Sequence, residues 1–362
     1  MPLTKIQSRG TENVGQGSSN VIINGAMKVA QRGTSSTGLG ASSGYFTLDR
    51  FKMVCNNTAG RFTMSQDSSA PDGFGNSLKL ACTTADTSIA SNEEFGILYR
   101  MEGQDLQHLK KGTSSAYSTT LSFYVKGNAS ATYVAELMDG DNSSRHVGAT
   151  FNVTTDWTRV AITFPADTTG TLDDDANASL DLQFFLHAGS NNTSGTLQTS
   201  WGALAQANRA VGISSFFDST DRTFFITGIQ FEVGSQASDF QHEDIGTTLA
   251  KCYRYFEKLI YQGGSYVHIG YFYTSSGCRS VLKYNRKRAV PTFTFNNQSN
   301  VIIYHSGNND DVPSLNYHDH STDFARITID LSGETTTAGY AGAVYNDASS
   351  GTTYDIKIDA EL

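Results

Sequence analysis

From Asn20 onward, hydrophobic residues fall at every second position in short runs, and Gly, Asn, Asp and Ser separate the runs. A period of two places one set of side chains on one face of an extended strand and the other set on the opposite face. Arg61–Ser65 and Ser77–Cys82 alternate cleanly, and the link Asp67–Gly75 between them is dense in turn residues. Tyr45–Val54 reads as a further strand, with Phe46, Leu48 and Lys52 against Asp49, Phe51 and Met53. The same pattern predicts strands at Ile97–Met101, Ser118–Lys126, Thr132–Met138, Ala149–Val153, Trp157–Phe164, Ser179–Leu186 and Thr223–Val233. One segment departs from it. Between Thr247 and Ile260, apolar residues fall at 249, 252, 253, 256, 259 and 260, which is helical spacing, and Gly263-Gly264 follows as a stop. Strands then resume at Tyr266–Tyr273, Arg279–Tyr284, Thr292–Phe295, Val301–His305, Phe324–Asp330, Ala341–Tyr345 and Tyr354–Asp359.

Many short strands with turn chemistry between them predict an all-β chain. The expected architecture is an antiparallel jelly-roll sandwich over 20–246, a short linking helix over 247–262 and a second, smaller β domain over 263–362. Residues 1–19 are polar and Gly/Ser-rich, too poor in large apolar side chains to build a core, and read as an extended arm that orders against a partner. Composition agrees: 80 Ser and Thr, 34 Gly, 21 Phe and 17 Tyr supply strands and turns. The net charge of -9 disfavours binding to nucleic acid through phosphate. No run approaches the ~18 apolar residues of a membrane span, and the first twenty residues lack the apolar core of a secretory signal. Cys55, Cys82, Cys252 and Cys278 are widely spaced, without C-x-x-C, and read as isolated thiols of a reducing compartment.

Several strings are similar to those of a known group. Asn20–Thr34, with Asn24-Gly25 and Gln31-Arg32-Gly33, is followed by Tyr45–Phe51, with Asp49-Arg50. Then come Tyr99–Gly103, Leu121–Gly127 and Trp157–Val160, and the sharpest match, Phe224–Ser235, continues through Ala237–His242 to Cys252–Phe256. In that order they resemble bacteriophage tail-fibre and accessory virion structural proteins with a jelly-roll domain like a carbohydrate-binding module. Asp239 stands where those proteins commonly carry Pro. The resemblance implies a virion component assembled in the host cytoplasm, a homo-trimer attached to other virion proteins through the arm, and adhesion to host cell-surface polysaccharide. A capsid decoration or a collar or tail accessory without receptor function is the alternative it leaves, and a free carbohydrate-binding module of a cellular enzyme is a remoter one.

Sugar binding calls for exposed aromatic faces flanked by planar hydrogen-bonding groups. The candidates are Trp201, in a Gly/Ser-flanked loop, and Tyr266, Tyr271, Tyr273 and Tyr284 of the C-terminal domain, where core packing or subunit contact competes for each ring. Arg286-Lys287-Arg288 is the one basic cluster; Arg286 and Arg288 are candidates for anionic glycans, against the plainer reading of a polar hairpin end. No cofactor is expected beyond a structural metal ion. Asp139 and Asp141 offer hard oxygens in a tight turn, but the twelve-residue calcium-loop pattern is missing and an Asx turn serves equally. His318 and His320 alternate, so on a strand both imidazoles would face one side, and three copies would supply six metal ligands around an axis. No H-E-x-x-H or phosphate-binding glycine loop is present, and no enzymatic activity is expected.

Overall fold

A computed structural model describes residues 20–298, 301–305, 308–312, 314–331, 336–347 and 353–362. The arm expected at 1–19 lies outside the described residues. The chain is all-β and divides into two compact units, Met1–Ile245 and Gly246–Leu362.

Among the described residues the first unit has twelve strands: β1 Ser35–Leu39, β2 Gly44–Tyr45, β3 Lys52–Asn56, β4 Arg61–Asp67, β5 Ser77–Thr84, β6 Glu94–Glu102, β7 Thr119–Gly127, β8 Ala131–Asp139, β9 Arg145–Val153, β10 Thr158–Phe164, β11 Ala178–Ala188 and β12 Thr223–Val233. They form two six-stranded antiparallel sheets, ordered β1-β4-β5-β12-β7-β10 and β2-β3-β6-β11-β8-β9. The inward face of each is apolar. On β8, Tyr133, Ala135 and Leu137 point to the core, while Thr132, Glu136 and Met138 alternate with them. Phe123, Phe151 and Phe184 meet edge to face across the core, with centroids 5.1, 5.1 and 6.0 Å apart. On β12 the alternation shifts phase. Phe224 and Ile226 face the core before the register break at Thr227/Gln230, and Ile229 and Phe231 face it afterwards. Gly228 sits in the break at φ +62°, where an added Cβ would lie 2.7 Å from the Phe74 ring.

The strings that carried the virion resemblance prove to be structural ties. Asn20 Oδ1 accepts from Phe231 N and its Nδ2 donates to Ile229 O, which pins the described start of the chain to β12. Gln31 N and Nε2 donate to the Asp49 carboxylate at 2.9 and 2.5 Å. Arg50, buried, donates to Arg100 O at 2.6 Å and lies over Tyr99. Glu232 accepts from Ser238 N and Oγ at 2.9 and 2.7 Å. Arg50 has φ +75°, so Tyr45–Val54 is not one strand: β2 ends at Tyr45 and β3 starts at Lys52, around this buried polar knot.

The first helix, α1 Ser190–Thr193, follows β11; the second, α2 Ile245–Tyr253, is shorter than the 247–262 element expected from the apolar spacing. Phe256–Tyr261 is instead a strand, β13, antiparallel to a C-terminal strand, with Phe256 opposite Asp359 and Tyr261 opposite Tyr354. Both periodicities fit Phe256, Leu259 and Ile260. Pairing decides, because the partner strand satisfies every second backbone group of the segment.

The second unit continues with β14 Tyr266–Phe272, β15 Gly277–Lys283, β16 Thr292–Asn296, β17 Val301–His305, β18 Asn308–Asp311, β19 Ser314–His318, β20 Phe324–Asp330, β21 Ala341–Asn346 and β22 Tyr354–Asp359. A three-stranded sheet, β13-β22-β16, and a seven-stranded sheet, β18-β17-β21-β14-β15-β20-β19, enclose a core that includes Phe272, Ile303, Ile327, Val344, Ile356 and Ile358. No helix among the described residues is long and apolar enough to cross a membrane.

Candidate functional site

The outward face of the sheet β2-β3-β6-β11-β8-β9 carries a continuous polar chain. Glu94 on β6 accepts from Gln183 on β11 at 2.5 Å and from Asn56 on β3 at 3.1 Å. The segment after β11 returns across this face and lays Arg209 on it. Arg209 donates to Glu136 on β8 through Nε, at 3.0 and 3.1 Å, and Nη2, at 2.6 Å, and it stacks over Phe185. Glu136 also meets His146 Nδ1 on β9 at 2.8 Å. Since Ala205 N donates to His146 Nε2, the network assigns the ring proton to Nδ1, which donates to Glu136. Burial opposes the Arg209 charge, but the Glu136 carboxylate outweighs it and holds the guanidinium above its ordinary range.

This chain ends in an open groove of about 610 Å³. Glu94 and Asn92 form one wall, Ser190, Asn191 and Ser194 at α1 another, and Gln206 a third. The wall at α1 is set by backbone contact: Gly189 N donates to Glu93 O and Asn191 N to Ser91 O, both at 2.9 Å. Gly189 is required there, because a Cβ would lie 1.9 Å from Ala90 O. Gln206 is held by Arg209 Nη1 at 3.2 Å. His187 bridges Glu93, the residue between Asn92 and Glu94, at 2.9 Å and Ser215 at 2.8 Å, while Asp86 accepts from Thr58 Oγ1 and Ala59 N. The ligand atoms of Asp86, Glu93 and His187 lie within 4.8 Å of one another, but hydrogen bonds from the chain engage all three, so the cluster ties together the loops that carry the groove. Burial pushes the Asp86 carboxyl up; the Ala59 and Thr58 hydrogen bonds and the His187 charge prevail and hold it below its ordinary value.

The groove offers paired amide donors and acceptors, hydroxyls and one carboxylate, open to solvent, with Glu94 and Gln206 held by hydrogen bonds. Glu94 has two of its roughly four lone-pair sites in use and keeps the rest for a ligand. That is chemistry for a neutral polyhydroxylated ligand. Glu94 is the one carboxylate among the described residues lining it, whereas glycoside hydrolysis uses an acid and a base in pairs. Nothing in the strand alternation marks these residues; they come from the start of β6 and from α1 and the segment after it, about a hundred positions apart, and only the density of Asn, Ser and Gln around 190–208 hinted at them.

The residues singled out from the sequence fall elsewhere. Trp201 is half-buried, donates its indole N–H to Pro165 O at 2.9 Å and lies beneath Lys111 Nζ at 5.1 Å, beside a cavity of about 20 Å³, too small for a sugar. Asp139 does not belong to a calcium loop. It is buried, paired with Lys111, and accepts from Asp141 N, Asn142 N and Asn142 Nδ2, so an Asx turn with a lysine as its cation occupies the position. Asp141 accepts from Asp173 N. Tyr284 is a core residue whose hydroxyl donates to Ser321 O and Phe324 O, and it cannot stack on a ligand. Tyr273 is half-buried with the Arg279 guanidinium 3.7 Å from its ring centre. Tyr266 and Tyr271 are exposed on one face of β14. The basic cluster is not one patch: Arg286 is exposed, Arg288 is half-buried with its N–H donating to Arg254 O, and Lys287 is buried against Glu257 at 2.8 Å. His318 ends β19, Asp319 turns the chain at φ +42°, and His320 lies beyond the strand with its ring 5.3 Å from Tyr317, so the two imidazoles do not share a strand face.

No protein-family profile and no curated protein matches the chain. Solved structures similar to it include a carbohydrate-binding module of family 4, at 11% identity over 58% of this chain and 98% of that one, TM-score 0.30. A family 22 carbohydrate-binding module of Clostridium thermocellum Xyn10B matches at 9% identity over 62% and 99%, TM-score 0.31. The enzymatically active domain of bacteriophage CBA120 tailspike protein 4 matches at 9% identity over 59% of this chain, TM-score 0.30, and the chain spans 21% of that protein.

Proposed function

We propose that the chain is a non-catalytic virion protein of the tail-fibre kind that adheres to host surface polysaccharide and works as a homo-oligomer, threefold as in the fibres it resembles. The observation that carries the adhesive part is the groove at Asn92, Glu94, Asn191 and Gln206: an open array of amides and hydroxyls around a single carboxylate. Recognition by such a site rests on a few well-placed polar groups. The virion part is supported by the ordered series of strings from Asn20 to Phe256, whose residues tie the sandwich together as described above.

The test is retention on an array of bacterial surface polysaccharides, with antibody labelling of phage particles alongside. Wild-type protein is expected to bind at least one polysaccharide, and Glu94→Ala with Gln206→Ala to weaken binding at least tenfold while circular dichroism still reports a folded chain. Unchanged retention in the double variant would remove the groove from the function; particles that carry no label would remove the virion role.

A further inference from the structure

We propose that the outward face of the seven-stranded sheet in the second unit is an interface between copies of this chain. The inference deepens the homo-oligomer part of the reading above and is independent of glycan binding.

On the strands of this sheet, inward residues such as Phe272, Cys278, Ile303, Ile327 and Val344 are buried. The opposite face should be polar if water covers it. Its middle is not. Ile269 is 74% exposed, Tyr266 66%, Val281 61% and Tyr271 53%, and Tyr304 and Phe324 are also exposed. Register joins them into one surface: Tyr304 of β17 and Ile269 of β14 both stand opposite Ala343 of β21, and Tyr266 stands opposite Tyr345, with rings 6.0 Å apart. Six such side chains expose on the order of 600–700 Å². That is comparable with the largest patch of about 300–600 Å² on a typical monomer and approaches the ~800 Å² that each partner gives to a stable interface.

The composition of the face selects the occupant. Its middle is Ile269 and Val281, which offer neither a ring to stack on a sugar nor a hydrogen bond to its hydroxyls, so the tyrosines around them are the margin of an apolar centre and not a row of sugar platforms. The charges are arranged to meet themselves. Asp311 on the margin strand β18 shares the face through its pairing with Ile302, while Arg279 and Lys283 stand on β15; apart from Asp330 at the end of β20 and Asp319, which holds Arg326 at 2.8 Å, no other acid lies on that side among the described residues. Copies that share this face around a threefold axis meet head to tail, so that Asp311 of one is brought toward Lys283 of the next.

The full chain with Val281→Glu and Ile269→Lys is compared with wild type by analytical ultracentrifugation at micromolar concentration. Wild type is expected to be an oligomer and the variant to dissociate at least a hundredfold more readily, with the circular dichroism and thermal midpoint of a folded chain. As a readout independent of those substitutions, Val281→Cys is labelled with a maleimide and compared with Ile89→Cys, an exposed position of the first unit. The Val281→Cys thiol is expected to react at least tenfold more slowly in the oligomer. A monomeric wild type overturns both the homo-oligomer reading and this face; an oligomer whose Val281→Cys thiol reacts as fast as Ile89→Cys overturns the face alone. A monomer that loses polysaccharide binding on Val281→Glu makes the face a ligand site and overturns the proposal as well.

Discussion

Replacing Glu136 by Ala tests how the groove is supported. The Glu136 side chain is wholly buried and that of Arg209 is 9% exposed. Three hydrogen bonds join them, and the buried His146 makes a fourth. Removing the carboxylate leaves a guanidinium inside the protein with only Gln183 and Gln206 for acceptors, and an imidazole N–H with none from Glu136. Breaking a buried pair from one side costs about 3–5 kcal/mol. At roughly 2–4 °C per kcal/mol for a unit of this size, the midpoint falls by on the order of 10 °C. Both tryptophans, Trp157 and Trp201, belong to the first unit, so denaturant unfolding followed by tryptophan fluorescence reports that unit alone. The double variant Glu136→Leu with Arg209→Met takes both charges out and is expected to recover most of the loss, because neither charge then remains buried without its partner. A loss below about 1 kcal/mol for Glu136→Ala, or a double variant as unstable as the single one, would show that the pair is not desolvated and that this account of the groove floor is wrong.

The second unit contains a histidine that burial keeps neutral. His268 is held down to about 4, and its Nε2 has no partner among the described residues. The unfolded chain takes up the proton first, so stability is complete above pH 6.5 and declines as pH falls toward 4; the loss at pH 5 is about 2 kcal/mol. Calorimetry at pH 7 and pH 5 should show it, and His268→Leu should flatten the difference; equal pH dependence in wild type and variant would exclude His268 as its source. All four cysteines are buried, and burial pushes the Cys55 thiol up to about 12 and those of Cys82 and Cys278 to about 11. The native protein should therefore release no colour from a disulfide reagent at pH 8, and four thiols should react on unfolding. A thiol titrating rapidly in the native state would contradict the burial described here.

Much of the strand order was legible because alternation has a local cause. Phe62 and Met64, or Tyr133, Ala135 and Leu137, need only an extended backbone and one apolar side to betray their strand. Where the reading failed, the local signal served two structures. Phe256, Leu259 and Ile260 suit a helix face as well as a strand, and the distant Tyr354–Asp359 decided between them. Asp139-Gly140-Asp141-Asn142 suits a calcium loop until Lys111, twenty-eight positions earlier, arrives as the cation.

The amino-acid sequence determined by itself that this chain is built of strands and that its apolar mass lies in Phe, Tyr and β-branched residues. Tertiary structure alone decided which tyrosines reach solvent, which carboxylates are already paired, and that Asn92, Glu94, Asn191 and Gln206 share one groove. The reason is range. Strand formation depends on neighbours two residues away, whereas exposure and pairing depend on which strands become adjacent, and nothing within a strand encodes its neighbour's identity strongly enough to be read from that strand alone.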